Sequence, residues 1–223
     1  MARTPDPAAQ LETDRARALT LTPVSRETAE RLDGLAALLL KWQATTNLVA
    51  PSTLPQLWTR HIADSLQLVP LAPDTAEVWV DLGSGGGFPG LVVAAALAER
   101  AGFVLHLVES NGKKAAFLRE AARVLGLPAQ VHAVRIEDFL PRFAEPVHVI
   151  SARALASLPI LLGYAEKAIE SGAQGLFLKG QDVEAELTES SKYWNIEATL
   201  QPSLTDPDGR VVIVKALQRR DKL

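Results

Sequence analysis

The sequence has no cysteine, one methionine, four histidines and only 5% aromatic residues. Without cysteine there is no disulfide, no thiolate metal site and no thiol nucleophile. The histidines, His61, His106, His132 and His148, are scattered without metal-like spacing, so no metal is expected. The last three fall in predicted strands, where an imidazole is more simply a satisfied core group than a ligand or base. No apolar run reaches the ~18–20 residues of a membrane span. The opening Met1-Ala2-Arg3-Thr4-Pro5-Asp6-Pro7 lacks the apolar core of a secretory signal, so the expectation is cytoplasmic residence with no membrane partner. A net charge of −3 argues against sequence-blind coating of nucleic acid and leaves room for a local basic patch. With 223 residues, 48% of them hydrophobic, the chain can bury one sizeable core, and its length favours one domain.

Against these absences stands a loop almost without side chains: Asp81-Leu82-Gly83-Ser84-Gly85-Gly86-Gly87-Phe88-Pro89-Gly90, joining the apolar Val78-Trp79-Val80 to the helical Leu91-Val92-Val93-Ala94-Ala95-Ala96. Such a loop lets a ligand approach backbone, and Pro89 suits a first helical position. Gly85 to Gly90 formally satisfies the dinucleotide pattern GxGxxG, which leaves an NAD-dependent oxidoreductase as one reading. In that fold, however, the first glycine follows the strand almost directly, whereas here Asp81 closes the strand and Gly83-Ser84 intervene. The order strand, Asp, Gly-x-Gly-x-Gly instead resembles motif I of the Rossmann-like S-adenosylmethionine (SAM) methyltransferases. A second acid, Glu109, ends the apolar run Phe103–Val108. Glu109 has two readings: an acceptor for both ribose hydroxyls of an adenosine, or a solvent-exposed strand-end side chain.

Residues 1–21 lack a lasting apolar period and read as a mobile or loosely docked segment, with regular structure expected from near Thr22. Thr22-Pro23 reads as a cap and first-turn proline, and residues 22–72 as a helical cap, with Leu32, Leu35, Leu39 and Trp42 on one face and Trp58, Ile62, Leu66 and Val69 on the next. Residues 73–223 then alternate: strands at 78–81, 103–109, 130–134, 147–151, 176–179, 194–200 and 211–216, with helices at 89–100, 113–125, 155–169 and 183–189. The expected fold is therefore α/β, a mostly parallel seven-stranded sheet with an antiparallel C-terminal edge and an N-terminal helical cap, in a single domain over 22–223.

In such a sheet the ligand lies beyond the carboxyl ends of the strands. Those ends present Asp81 and Gly83, Glu109, Arg135-Ile136-Glu137, Ser151-Ala152-Arg153, and Lys179. Three cations on one rim, Arg135, Arg153 and Lys179, suggest an anionic partner. Ile136-Glu137 can flank an adenine, or simply begin a helix with acidic side chains. Ser151-Ala152-Arg153-Ala154 is unlike the Asn/Asp-Pro-Pro-aromatic tetrad that holds exocyclic amines. The missing cysteine closes the thiol-dependent route to carbon-5 of pyrimidines. A target with no proton to remove, such as guanine N7, fits better, and methyl transfer to it rests on positioning.

Asn47-Leu48, Arg60-His61-Ile62-Ala63-Asp64-Ser65-Leu66, Asp81 through Gly90, Lys113-Lys114 with Phe117-Leu118, Ser151-Ala152-Arg153-Ala154 and Leu178-Lys179-Gly180 together resemble one family, the bacterial 16S rRNA guanine-N7 methyltransferases of the glucose-inhibited division protein B type. The resemblance spans roughly Asn47 through Gly180. It implies a SAM-dependent methyltransferase acting on guanine 527 in the 530 loop, with 16S rRNA or a 30S-related particle as partner. It further implies SAM contacts from Gly83, Phe88, Ile136, Glu137 and Arg153, joined by Asp81, Gly85, Gly87 and Glu109 of the cofactor motifs. Arg135 and Lys179 would complete a basic pocket, Arg135, Arg153 and Lys179 would serve the transfer, and Arg60 and His61 would touch RNA or hold a helix in place. Gln43-Ala44-Thr45-Thr46 stands where many members are lysine-rich, and the tail after Leu217 is short. A SAM methyltransferase acting on a small molecule is the alternative.

Overall fold

Strand β1 (Val78–Leu82) reads Val-Trp-Val-Asp-Leu and is buried along its whole length, the pattern of a strand covered on both faces. The structure, a computed structural model describing residues 6–220, places β1 at the centre of the sheet. β2 (Val104–Val108) and β3 (Ala129–His132) lie in parallel on one side of it, and β4 (Val149–Arg153) and β5 (Gln174–Lys179) in parallel on the other. The hairpin of β6 (Trp194–Pro202) and β7 (Arg210–Arg219) closes the edge, β7 running antiparallel to β5, so the order is β3-β2-β1-β4-β5-β7-β6. The order reverses direction between β1 and β4. That is where an open α/β sheet leaves a crevice beyond its strand ends.

Successive side chains sort to opposite faces. Trp79, Val149 and Leu176 join a core with α1 (Pro7–Leu21), α2 (Arg26–Gln43), α3 (Asp64–Leu66), α4 (Gly90–Ala96) and α5 (Gly112–Val124). Val80, Ile150 and Phe177 join a second core with α6 (Ile136–Phe139), α7 (Leu158–Glu170) and α8 (Val183–Ser190). The expected elements are all present with shifted ends. Two shifts matter for the site: β4 runs on to Arg153, making that arginine the last strand residue, and α4 starts at Gly90, with Pro89 before it. α4 is also shorter than expected, ending at Ala96, and the chain then turns back toward β2 through Gly102 with φ of +77°.

The amino-terminal expectation is corrected. Residues 7–21 are helical, and Thr22 ends that helix, its N–H bonding back to Ala18; Ser25 is the residue that caps α2, accepting from the Thr28 N–H at 3.1 Å. Residues 1–5, with most of the stretch read for a signal segment, and 221–223 lie outside the described residues. What docks α1 is one buried carboxylate: Asp14 accepts from the N–H groups of Trp58 and Thr59 at 2.8 and 3.1 Å and from the Thr59 hydroxyl. These donors open the π-helical turn Trp58–Ala63, whose first amides have no partner of their own. Arg15, one residue on, pairs with Asp33 of α2 at 2.6 Å and lies over the Trp58 ring at 5.2 Å. The apolar period of α1 is weak because its docking is polar, which is why periodicity alone left it unassigned.

Asp14→Ala strands two buried amides and is expected to lower the unfolding free energy by about 2–4 kcal/mol. Denaturant titration measures this; a change below about 0.5 kcal/mol, the scatter of surface substitutions, would show that α1 does not support the turn.

Candidate active site

β1 passes to α4 through a loop in which Gly83 and Gly85 adopt φ of +63° and +54°, backbone that side chains with a Cβ adopt only under strain. The loop is tied down by the second acid. Glu109 Oε2 accepts from the Gly85 N–H at 2.9 Å and Oε1 from the Asn111 N–H at 2.7 Å. Glu109 is 8% exposed, which removes the solvent-exposed reading. Asn111 in turn caps α5, accepting from the Lys113 and Lys114 N–H groups at 3.0 and 3.1 Å. The exits of β1 and β2 are thus one hydrogen-bonded unit. Over it lies the turn after α2, held by Gln43, which accepts from the Leu48 and Val49 N–H groups at 2.9 and 3.1 Å. A Cβ on Gly86 would stand 2.8 Å from the Leu48 carbonyl oxygen, so glycine there is what allows the turn to close down on the loop.

Between these parts is a cavity of about 400 Å³. Gly83, Gly85, Phe88, Glu109, Arg135, Ile136, Glu137 and Arg153 line it, as the sequence suggested. Leu48, Ser84, Ser110, Lys114, Leu155 and Tyr164 line it as well, without having been singled out as site residues. Tyr164, from α7, donates its hydroxyl to Glu137 Oε1 at 2.7 Å, which holds the Glu137 carboxyl below its ordinary pKa. Its position on a helix distant in sequence gave no local signal.

Two expected cofactor residues do not face this cavity. Gly87 turns its α-carbon toward Leu91, 2.4 Å from where a Cβ would sit. Asp81 is wholly buried beneath the loop, accepting at Oδ1 from the Ser151 hydroxyl at 2.7 Å, which itself accepts from the Trp79 indole N–H at 2.9 Å. Its Oδ2 has no hydrogen-bond partner among the described residues. Burial, partly offset by Ser151, pushes the Asp81 carboxyl up to about 6. The carboxylate that sequence order placed before the loop therefore lies beneath it, in the core, and does not line this cavity. Even the loop's exit is packed on it: a Cβ on Gly90 would stand 2.8 Å from Asp81 Oδ2.

A second cavity, of about 530 Å³, adjoins the first and shares Leu48, Arg153 and Ala154 with it. Ala154 carries φ of +51°, an unusual conformation for a residue with a Cβ, at this junction. Arg60, His61 and Lys179 line the second cavity together with Arg153; Arg135 does not and belongs to the first. The pairing of these cations is a further feature that the strand-end reading did not include. Arg153 donates to the Arg60 carbonyl at 2.9 Å and pairs with Asp64 at 3.3 Å, and Lys179 pairs with Glu186 at 2.6 Å while donating to the Ala156 carbonyl at 3.0 Å. Four cations, Arg60, Arg153, Lys179 and Arg210, face four acids, Asp64, Asp182, Glu186 and Asp206, so the lining is charge-balanced, not basic. His61, 8% exposed, is packed against Phe88 with ring centroids 5.0 Å apart. Burial leaves it little surface for RNA.

Comparison with known proteins follows the same lines. Residues 28–221 match the GidB family model, described as rRNA small subunit methyltransferase G. The chain is 62% identical over 208 residues to the ribosomal RNA small subunit methyltransferase G of Bradyrhizobium sp. strain BTAi1, covering 93% of each chain. It is 61% identical to that of Bradyrhizobium sp. strain ORS 278, covering 95% of each. Among solved structures it resembles cofactor-bound Rv0187 from MTB (TM-score 0.60, 15% identity, 96% of this chain and 99% of that one). It also resembles the SAM-bound O-methyltransferase TomG from Streptomyces achromogenes (TM-score 0.58, 13% identity, 96% and 100%). At these identities the structures establish a shared fold, the Rossmann-like α/β fold of SAM methyltransferases.

Glu109→Ala is expected to cost about 1.5–3 kcal/mol of stability in the free protein, because two backbone donors lose a charged acceptor; unchanged stability would leave Glu109 outside the loop's support. Asp81 gives a pH signature. Its folded carboxyl holds a proton up to about pH 6 and the unfolded one only to 3.8, so its contribution favours folding in acid and is lost as pH rises through that window. Between pH 4 and 6 the wild type should lose about 2 kcal/mol relative to Asp81→Asn. A difference between the two proteins that stays flat with pH would mean that Asp81 titrates normally.

Proposed function

The chain belongs to the rRNA small subunit methyltransferase G family, and from that membership we propose that it transfers a methyl group from SAM to N7 of guanine 527 in the 530 loop of 16S rRNA, presented by the RNA or by a 30S-related particle. The observation that carries the reading is the meeting of two cavities at Arg153, one walled by glycine backbone and the other open beside it. The first fits SAM. Its volume lies within the usual range for small-molecule sites, Ile136 and Leu155 give an adenine apolar flanks, and Glu109 sits where its remaining lone pairs can accept ribose hydroxyls. SAM supplies an electrophilic methyl on its sulfonium. Gly83, Gly85 and Phe88 then shape the wall at which that methyl would be held, and Arg153 bridges to the cleft that would receive the base.

Guanine N7 offers a lone pair at neutral pH, so the transfer needs no general base. The surroundings agree with that requirement. His61, the one imidazole among the described residues lining either cavity, is pulled down to about 3 by burial and then by the neighbouring Arg153 and Arg60 charges. An imidazole so weakly basic accepts no proton from substrate. Catalysis then rests on holding donor and acceptor in line. Residues 22–72 act in this reading as a helical cap on a SAM-binding core of residues 73–223 within one domain.

The test is transfer of labelled methyl from SAM to 16S rRNA and to 30S particles lacking the modification, followed by mapping of N7-methylguanine. A single methyl at guanine 527 is expected. Methylation at another atom or nucleotide, or of small molecules alone, would overturn the assignment. Lys179→Ala should lower the transfer rate about tenfold and the salt dependence of RNA binding by about one contact, with SAM affinity near wild type. Arg135→Ala should act on the other side, weakening SAM, since it lines the first cavity.

A further inference from the structure

A guanidinium can only donate, and Arg153 meets the His61 ring at 2.6 Å between Nη2 and Nδ1. His61 Nδ1 must therefore be the bare, accepting nitrogen. The other ring nitrogen is fixed as well: Nε2 lies 2.8 Å from the Thr53 hydroxyl oxygen, and that hydroxyl already donates to the Ala50 carbonyl at 2.7 Å. Thr53 can then only accept, so Nε2 carries the proton. The chain Arg153 to His61 to Thr53 to Ala50 runs in one direction and is satisfied only by a neutral, Nε2-protonated imidazole.

The geometry points to His61 as the positioning residue for Arg153, a neutral acceptor that fixes the guanidinium at the boundary of the two cavities without cancelling its charge; this rests on the function proposed above. Nη1 has the Arg60 carbonyl and Asp64, but Nη2 has no other acceptor among the described residues. Phe88 completes the cradle. The Arg153 guanidinium carbon lies 5.2 Å from its ring centroid, and the His61 ring packs on the same phenyl group. A carboxylate in place of His61 would pair with the guanidinium a second time and take from the site the positive charge that an anionic substrate or the guanine O6/N7 edge would use. Burial and the neighbouring Arg153 and Arg60 charges lower the imidazole to about 3, so it is neutral near pH 7 and the acceptor is not lost there.

Three variants and one spectrum test this. His61→Phe keeps a ring against Phe88 and removes the acceptor; methyl transfer to 16S rRNA should fall roughly tenfold to a hundredfold, the loss of one charged hydrogen bond. His61→Asn returns an acceptor oxygen and should recover most of that loss. In an Arg153→Ala background His61→Phe should do nothing further, because its action passes through Arg153. In the free wild-type protein, two-bond ¹⁵N–¹H correlation spectra should show a protonated Nε2 and a bare Nδ1, unchanged from pH 8 down to pH 5. Full activity in His61→Phe, an equal loss in His61→Asn, an undiminished effect without Arg153, or a proton on Nδ1 would each overturn the assignment. A wild-type protein that shows the expected spectrum and binds SAM, yet methylates no rRNA, would instead count against the proposed function.

Discussion

A buried guanidinium must find acceptors for its donors or lose the solvation it left behind, and Arg153, with 17% of its side chain exposed, finds its acceptors in the helical cap. The Arg60 carbonyl, the His61 ring and the Asp64 carboxylate come from one turn and a half of cap, while the arginine ends β4, the strand beside β1. Cap and sheet are therefore fastened where the two cavities meet. The same constraint reaches outward. The turn carrying these acceptors begins at Trp58 and Thr59, whose amides are satisfied by Asp14 of α1. A helix with little apolar period of its own is coupled, through one carboxylate, to the posture of a residue at the centre of the molecule.

The pairing of charges changes how anion binding has to be understood. A free row of cations would attract phosphate through its field, and binding would be largely counterion release. Here Lys179 is already held by Glu186 and Arg153 by Asp64, in a chain whose net charge is −3. Recognition by such a surface is an exchange of partners: a phosphate or a base edge must offer a lysine more than a carboxylate already does. Nonspecific anions are then held weakly, because the desolvation of a buried pair is not repaid by one loose contact.

The two acids of the cofactor motifs divide the labour in a way that residue type does not reveal. Glu109 is tied to backbone at both oxygens and still lines the cavity, so one side chain both supports the loop and forms part of the cavity wall. Asp81 lies beneath the loop with its carboxyl raised to about 6 by burial. The glycines close around it for a packing reason, since no Cβ fits between Gly90 and that carboxylate. A buried acid with one unpartnered oxygen is a stability cost, carried here in the segment on which the cavity is built.

The strand and helix order, the glycine loop after β1 and the acid after β2 were determined by the sequence itself, because each is a local pattern: side-chain period, φ freedom and charge at fixed spacing. Six of the first cavity's lining residues, Gly83, Glu109, Arg135, Ile136, Glu137 and Arg153, follow from the rule that strand ends face the ligand. Local patterns say nothing about which charge meets which, and pairings such as Arg153 with Asp64 or Asp14 with Thr59 join residues 89 and 45 positions apart. Tertiary structure alone therefore decided that Asp81 faces the core, that Arg135 stands apart from Lys179, that Tyr164 enters from a remote helix, and that the His61 ring meets the Arg153 guanidinium. The physical reason is that a hydrogen bond or ion pair is a property of two groups brought together by the whole packed chain, whereas sequence displays only one of them at a time.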